Sequence, residues 1–268
     1  MSKNSKLNVL GVMTGTSMDG VDISLINTNG TDFVKIKCEK SYKFSKNYQA
    51  IINNLIINKP KTNNKIKEYF LKKDDFVTDI LEKKIILFLK QKKINKKNID
   101  LISISGQTVY HDPSNKISIQ LGNGNKIAKN LKVKTISNLR DNDIKNGGQG
   151  APIGSYYHKF LIQKFKEKAI IVNLGGIANF STVVSRTLLS SDIGPANCLS
   201  DDLCNYFFKK KFDNDGNYAR KGKIDNKLIE KFKKDKFFKK KFPKSLDRNY
   251  FRNYFNNLIK LNKYDALM

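Results

Sequence analysis

Glycine, hydroxyl and carboxylate side chains crowd into one short stretch near the start of the chain, Gly15-Thr16-Ser17-Met18-Asp19-Gly20-Val21-Asp22. It lies between two apolar runs rich in β-branched residues, Val9 to Val12 and Val21 to Ile26, which is a hairpin signal. Gly15 and Gly20 let main-chain N–H groups approach a ligand closely. Thr16 and Ser17 add hydroxyl donors, and Asp19 and Asp22 add carboxylates able to order a Mg²⁺ shell or to act as a base. A main-chain concavity of this composition suits phosphate, and the same composition suits an ordinary glycine-rich hairpin. It is not a Walker loop: no Gly-Lys-Ser/Thr follows, and the next element reads as strand.

A second polar concentration runs from Asn138 through Arg140, Asp141, Asn142, Asp143 and Gly147-Gly148-Gln149-Gly150-Ala151-Pro152. It reads as an irregular loop of the kind that carries function on a rigid scaffold. Asp141 or Asp143 could serve as a general base; either could equally cap a helix or order the loop. Between the two concentrations, Gln107, Thr108 and His111 follow a short apolar strand. Ligands of α/β sheets gather at the carboxyl ends of strands, which makes these three candidates, although His111 also fits a surface or structural histidine.

The elements that must position these residues follow from periodicity. After the opening hairpin, Asp32 to Ser41 reads as a third strand, and Lys46 to Ile57 and Asn64 to Lys93 carry helical spacing on either side of Pro60. Asp100 to Ser105 is a short buried strand, Ile117 to Leu121 and Val133 to Ser137 are strands, and Asn125 to Leu131 is a short helix. Tyr156 to Lys166 is a helix, and Ala169 to Leu174 is expected to be a fully buried strand. That strand ends in Gly175-Gly176-Ile177-Ala178-Asn179, a second strand–glycine turn–strand unit. Leu188 to Ser191 leads into Asp192-Ile193-Gly194-Pro195, and a helix follows from about Leu199 to Lys209. Two glycine-turn hairpins each open an α/β domain, the arrangement expected where a phosphate chain is held across a cleft. In the tail, phenylalanines such as Phe232, Phe237, Phe251 and Phe255 read as packing for helical segments.

Composition narrows the class. The chain has 268 residues and a formal net charge of +27, yet arginine occurs only at Arg140, Arg186, Arg220, Arg248 and Arg252. Base readout and bidentate phosphate recognition favour arginine, so the charge reads as a solvated lysine surface and no specific nucleic-acid partner is expected. No apolar run is long enough for a membrane span. The first residues lack the apolar stretch and small-residue cleavage site of a secretory signal. Cys38, Cys198 and Cys204 form no close pair. A reducing, cytoplasmic setting follows.

Taken together, Gly15 to Asp22, Gly106-Gln107-Thr108, Gly147 to Pro152, Asn173 to Asn179 and Asp192 to Pro195, with Phe212-Asp213-Asn214-Asp215-Gly216, Ala219 and Gly222, resemble the anhydro-N-acetylmuramic acid kinase family, in family order. The resemblance implies a two-domain α/β architecture of the sugar kinase/actin/heat-shock ATPase (ribonuclease H-like) type. Residues 1–150 would form the first domain and 151–268 the second, with ATP and Mg²⁺ between them. It implies conversion of 1,6-anhydro-N-acetylmuramic acid, ATP and water to N-acetylmuramic acid 6-phosphate and ADP, in peptidoglycan recycling. Gly15 to Asp22 would bind phosphate, as would Gly175, Gly176 and Asn179. Asp143 falls on the catalytic aspartate, Gln107, Thr108, His111 and Arg140 would lie near the sugar, and Asp19 and Asp192 would serve the metal. The family tends to dimerise, so a homodimer is the expected assembly.

The chain also departs from the family pattern. Asn138 and Leu139 replace an acidic and an aromatic residue, Gly194-Pro195-Ala196 replaces Gly-Pro-Gly, and Lys244-Ser245-Leu246-Asp247-Arg248-Asn249 keeps only Lys, Ser and Arg of its motif. Family members continue with a glycine-rich adenosine-binding turn and closing helices, so the second domain is expected to be incomplete at its C-terminus. A non-catalytic nucleotide- or sugar-binding remnant is the alternative reading.

Overall fold

The computed structural model describes residues 5–15, 18–62, 65–165, 168–246 and 250–268. It is a mixed α/β protein whose contacts divide it into two compact units, Met1–Gly150 and Ala151–Met268.

In the first unit, β1 (Leu7–Thr14), β2 (Gly20–Thr28) and β3 (Val34–Lys43) form an antiparallel meander. β4 (Leu101–Ile104) then pairs parallel to β1, and β7 (Thr135–Ile136) parallel to β4, giving the order β3-β2-β1-β4-β7. Alternation decides which face of β1 is covered: Leu10, Val12 and Thr14 are buried, because successive strand side chains point to opposite faces. The chain crosses from β3 to β4 through α1 (Lys46–Ile57), α2 (Ile66–Leu71) and α3 (Asp74–Gln91). Val77, Leu81, Ile85 and Phe88 of α3 recur at helical spacing and join Leu10, Ile23 and Ile102 in one core. Each fully buried aliphatic contributes about 1.5–3 kcal/mol.

Periodicity predicts one helix over 64–93, and the structure has two, breaking at Lys72 and Lys73. The apolar rhythm passes through the break, since Phe70 and Val77 lie seven residues apart. The break is tertiary. Asp74 Oδ1 accepts the Gly122 N–H at 2.6 Å and Thr78 Oγ1 accepts the Asn123 N–H at 2.8 Å, fixing where α3 begins. Burial pushes the Asp74 carboxyl above its ordinary range.

β5 (Gln107–Asp112) and β6 (Ile117–Leu121) form a separate antiparallel pair. α4 (Gly124–Leu131) follows, capped by the Asn123 side chain. The strand expected over 133–137 shrinks to the two residues of β7. Within the loop expected from 138 to 152, Asp141–Lys145 forms a short helix, α5.

The second unit contains α6 (Ser155–Ile162) and an antiparallel sheet ordered β10-β9-β8, from β8 (Ile170–Leu174), β9 (Ile177–Val184) and β10 (Thr187–Pro195). The expectation that 169–174 is fully buried is wrong: Ile170, Val172 and Leu174 are 63%, 52% and 66% exposed. β8 is the terminal strand of its sheet, and α6 packs on the other face, where His158 Nδ1 lies 2.8 Å from Ser181 Oγ. Beyond α7 (Asn197–Phe208) come α8 (Asn226–Lys233), α9 (Lys236–Lys239) and α10 (Arg252–Leu258). Phe237, Phe251 and Leu246 form one small core, joined by Phe232 and Phe238, while Leu203, Phe255 and Ala266 form another. Among the described residues, no helix is long and apolar enough to cross a membrane.

Candidate functional site

β1 delivers the first glycine turn. Near its end, the Thr14 N–H donates to Ser105 Oγ at 3.1 Å and Thr14 Oγ1 donates to the Gly106 carbonyl at 2.7 Å. The Ser105 N–H donates to the Val12 carbonyl at 3.0 Å, so the ends of β1 and β4 are fastened together. Among the described residues of the turn, the carbonyls of Gly15, Met18 and Asp19 are engaged by protein donors. Gly15 O accepts the Met18 N–H (3.2 Å) and Gln107 Nε2 (3.1 Å), Met18 O accepts Gln49 Nε2 (2.9 Å), and Asp19 O accepts the Phe44 N–H (3.0 Å). Met18 is buried at a left-handed φ of 57°, and Asp19 is exposed. A Cβ on Gly20 would lie 2.4 Å from the Tyr42 carbonyl, so glycine is needed there for packing alone. The side chain of Val21 is in the core, and Asp22 accepts a hydrogen bond from Ser41 Oγ on β3. Thr16 and Ser17 lie outside the described residues.

Gln107 is fully buried, with Oε1 accepting the Tyr48 hydroxyl at 3.2 Å and Nε2 donating to Gly15 O. Burial pushes the Tyr48 hydroxyl above its ordinary range. Thr108 is half-buried on β5. His111 Nδ1 lies 2.9 Å from Ser118 Oγ across the β5–β6 pair. Helical spacing places Tyr48 on the buried face of α1 with Ile52 and Leu55, but no motif marks Tyr48 or Gln49 for a role at the turn.

Asp143 projects from α5, and the following glycines wrap around it. Its carbonyl accepts the Gly148 N–H at 2.8 Å and its Oδ2 accepts the Gly150 N–H at 2.7 Å. A Cβ on Gly148 would lie 2.1 Å from Asp143 Oδ2, and Gly150 has a φ of +64°, so both positions demand glycine for this wrap. Arg140 Nη1 donates to the Gly150 carbonyl at 3.2 Å, closing the loop from the other side. The Asp143 side chain is exposed, and its Oδ1 takes no hydrogen bond among the described residues. Neither Asp141 nor Asp143 caps α5, whose N-cap is Arg140. A carboxylate steered through one oxygen, with the other facing solvent, can accept a proton from water.

In the second unit, Gly175 and Gly176 join β8 to β9. Gly175 O accepts the Asn197 N–H (3.0 Å), and Gly176 O accepts the N–H groups of Ala196 (3.0 Å) and Cys198 (3.1 Å). The start of α7 is thus tied to the turn, helped by Asn197 Nδ2 on the Leu174 carbonyl at 2.9 Å. Among the described residues the N–H groups of Gly175 and Gly176 have no partner. Two donors beside carbonyls that are already engaged favour an anion. Asn179 on β9 lies opposite Asp192 on β10, beside a register shift between Asp192 and Gly194. Asp192 is buried, and its Oδ2 accepts the Leu246 N–H at 2.7 Å. The Asp192 N–H donates to the Lys244 carbonyl at 2.9 Å. Lys244 is also buried, with Nζ donating to the Phe237 carbonyl at 2.9 Å and lying 4.4 Å from the Phe237 ring centre. Burial lowers its pKa. Asp247, Arg248 and Asn249 of the same motif lie outside the described residues. No group of three or more His, Cys, Asp or Glu side chains that could hold a metal occurs among the described residues.

Comparison with known proteins adds a separate line of evidence. A family model described as anhydro-N-acetylmuramic acid kinase matches residues 7–267. A protein of that name from Pelagibacter ubique is 37% identical over 232 residues, which cover 82% of this chain and 60% of that protein. Another, from Sulfurimonas denitrificans, is 34% identical over 241 residues, covering 89% of this chain and 64% of that protein. The chain thus spans less than two thirds of the length of these curated relatives. With its motifs in order across a match of nearly its whole length, the chain belongs to the anhydro-N-acetylmuramic acid kinase family.

Proposed function

We propose that the chain is an ATP-dependent kinase that opens the 1,6-anhydro bridge of anhydro-N-acetylmuramic acid and phosphorylates O6, giving N-acetylmuramic acid 6-phosphate and ADP for peptidoglycan recycling. The observation that carries this reading is the family match over residues 7–267. The wrapped, exposed carboxylate of Asp143 supports it. The sugar kinase/actin/heat-shock ATPase fold, a cytoplasmic setting and a homodimer belong to the same proposal.

In this reading Asp143 takes a proton from water as the water oxygen bonds to the anomeric carbon. The bond from that carbon to the bridging oxygen breaks, and the released oxygen attacks the γ-phosphorus of ATP, expelling ADP. Because phosphorus captures the leaving oxygen, the reaction has less need of a second carboxylic acid than ordinary glycoside hydrolysis, which uses two carboxylates. The rest is positioning and charge stabilisation. Phosphate contacts are assigned to Gly15, Thr16, Ser17, Met18, Asp19, Gly20, Val21 and Asp22, and to Gly175, Gly176 and Asn179. For the buried Val21 side chain, only the main chain is available. Gln107, Thr108, His111 and Arg140 are assigned to the sugar side.

Asp19 and Asp192 supply hard oxygen donors of the kind Mg²⁺ takes when most of its ligands are phosphate and water. Bound Mg²⁺ would neutralise charge on the phosphates. The purified chain is incubated with Mg²⁺, ATP and 1,6-anhydro-N-acetylmuramic acid in ¹⁸O-water and followed by mass spectrometry. Equal amounts of ADP and a phosphosugar labelled at the anomeric position are expected. ATP bound without phosphosugar overturns the proposal.

A further inference from the structure

We infer that Ser118 and Gln120 are positioning residues that hold the His111 ring in one tautomer, with its proton on Nε2. The sugar is then met by an N–H donor, and the inference rests on the sugar assignment above. The first observation is one of register. Thr108 and His111 are three residues apart, a spacing that puts two side chains on opposite faces of a regular strand. β5 is not regular. A register shift between Thr108 and Tyr110 sets Thr108 opposite Gln120 and His111 opposite Ser118. Ser118 and Gln120 are two apart on β6 and so share a face, and the irregularity in β5 brings Thr108 and His111 to that same face.

On that face the hydrogen bonds run in one direction. An amide nitrogen only donates, and Gln120 Nε2 donates to Ser118 Oγ at 2.6 Å. Gln120 is buried, where an amide left unbonded is costly. The Ser118 hydroxyl has a single hydrogen. With one lone pair taken by Gln120, that hydrogen turns to His111 Nδ1, 2.9 Å away. A ring nitrogen that accepts carries no proton, so the proton of the neutral imidazole sits on Nε2. His111 is then a donor through Nε2, and Thr108 adds a hydroxyl on the same face. An acceptor oxygen of the sugar suits that pair.

The test joins a spectrum to a binding series. The chain has two histidines, His111 and His158, so ¹⁵N-histidine labelling gives two rings, and His158→Gln assigns them. In alkaline buffer, long-range ¹H–¹⁵N spectra are expected to show His111 protonated at Nε2 in the unsubstituted chain and in Ser118→Thr. Ser118→Ala is expected to show a mixture of tautomers. Calorimetric titration with 1,6-anhydro-N-acetylmuramic acid is expected to give a Kd about fivefold higher for Ser118→Ala and about threefold higher for Gln120→Met, with Ser118→Thr within about twofold. The Kd for Mg·ATP is expected to stay within about twofold in all three. In a His111→Gln background, Ser118→Ala is expected to add no further loss, which a merely structural role for Ser118 does not give. Ser118 is only half-buried, so its variants keep the test open if Gln120→Met does not fold. A proton on Nδ1 of His111 in the unsubstituted chain overturns the inference alone. So does a sugar affinity that Ser118→Ala leaves unchanged, or a loss that extends equally to Mg·ATP. An unsubstituted chain that does not bind the sugar, or a His111→Gln variant that binds it equally well, overturns the sugar assignment and the inference with it.

Discussion

β1 and β8 are the same kind of sequence in two different situations. Each is a short apolar run rich in β-branched residues that ends in a glycine turn and returns as an antiparallel strand. β1 has a strand on both sides, β2 and β4, and Leu10 and Val12 are enclosed by α3 and its neighbours. β8 has a strand on one side, and Ile170, Val172 and Leu174 face solvent. An apolar run therefore specifies a strand without specifying its cover; cover comes from elements far away in the chain, such as the 101–104 strand beside β1. The two turns differ as well. Side-chain amides and the Phe44 N–H engage the carbonyls of the first, and the start of α7 engages those of the second.

The largest expected effect is at the proposed base. With Asp143 in that role, Asp143→Asn lowers turnover about 10²–10⁴-fold while Mg·ATP affinity, measured by calorimetry, stays within about twofold. Retained turnover would move the base to Asp19. Stability offers the next test. Leu10→Ala on β1 is expected to cost about 2–5 kcal/mol in urea unfolding, whereas Val172→Ala on β8 should stay within about 0.5 kcal/mol. Equal losses would mean that the two strands are equally covered.

The glycines sharpen the contrast on a smaller scale. Gly20→Ala meets the Tyr42 carbonyl at 2.4 Å and is expected to cost about 1–3 kcal/mol of stability. A Cβ on Gly176 meets only Cys198 Cβ, at 3.6 Å. Gly176→Ala should therefore melt within a few degrees of the unsubstituted chain and yet bind Mg·ATP more weakly.

The smallest effect belongs to pH. Burial lowers the His158 pKa from 6.5, so the native state disfavours the imidazolium. The resulting stability is present above pH 6.5 and is lost as pH falls through the lower folded-state value. His158 is only half-buried and solvent still screens it, so the loss is below about 0.5 kcal/mol, and His158→Gln should flatten that part of the unfolding profile. A loss on raising the pH instead would refute the assignment.

Much of this was legible in residue order. Apolar runs rich in β-branched residues located β1 and β2, a short apolar run located β6, and helical spacing located α1, α4 and α7 to within a few residues; the choice of Asp143 over its neighbour Asp141 came from the family resemblance and stands as a proposal. The break between α2 and α3 was hidden, because the apolar rhythm runs straight through Lys72 and Lys73 and the anchors at Gly122 and Asn123 lie some fifty positions away. Gln49 and Tyr48 carried no motif, since their significance lies in which carbonyl and which amide they meet.

Local pattern and turn chemistry, written residue by residue, determined that this chain alternates strands and helices, carries two glycine-cornered hairpins, and places a carboxylate before a Gly-Gly-Gln-Gly-Ala-Pro segment. Only the tertiary structure decided that Asp143 is wrapped by Gly148 and Gly150, that Gln107 and Gln49 grip the first turn, and that β8 faces solvent while β1 does not. Periodicity depends on near neighbours along the chain. Burial and hydrogen bonding depend on residues brought close by folding, and no short window of sequence contains both partners.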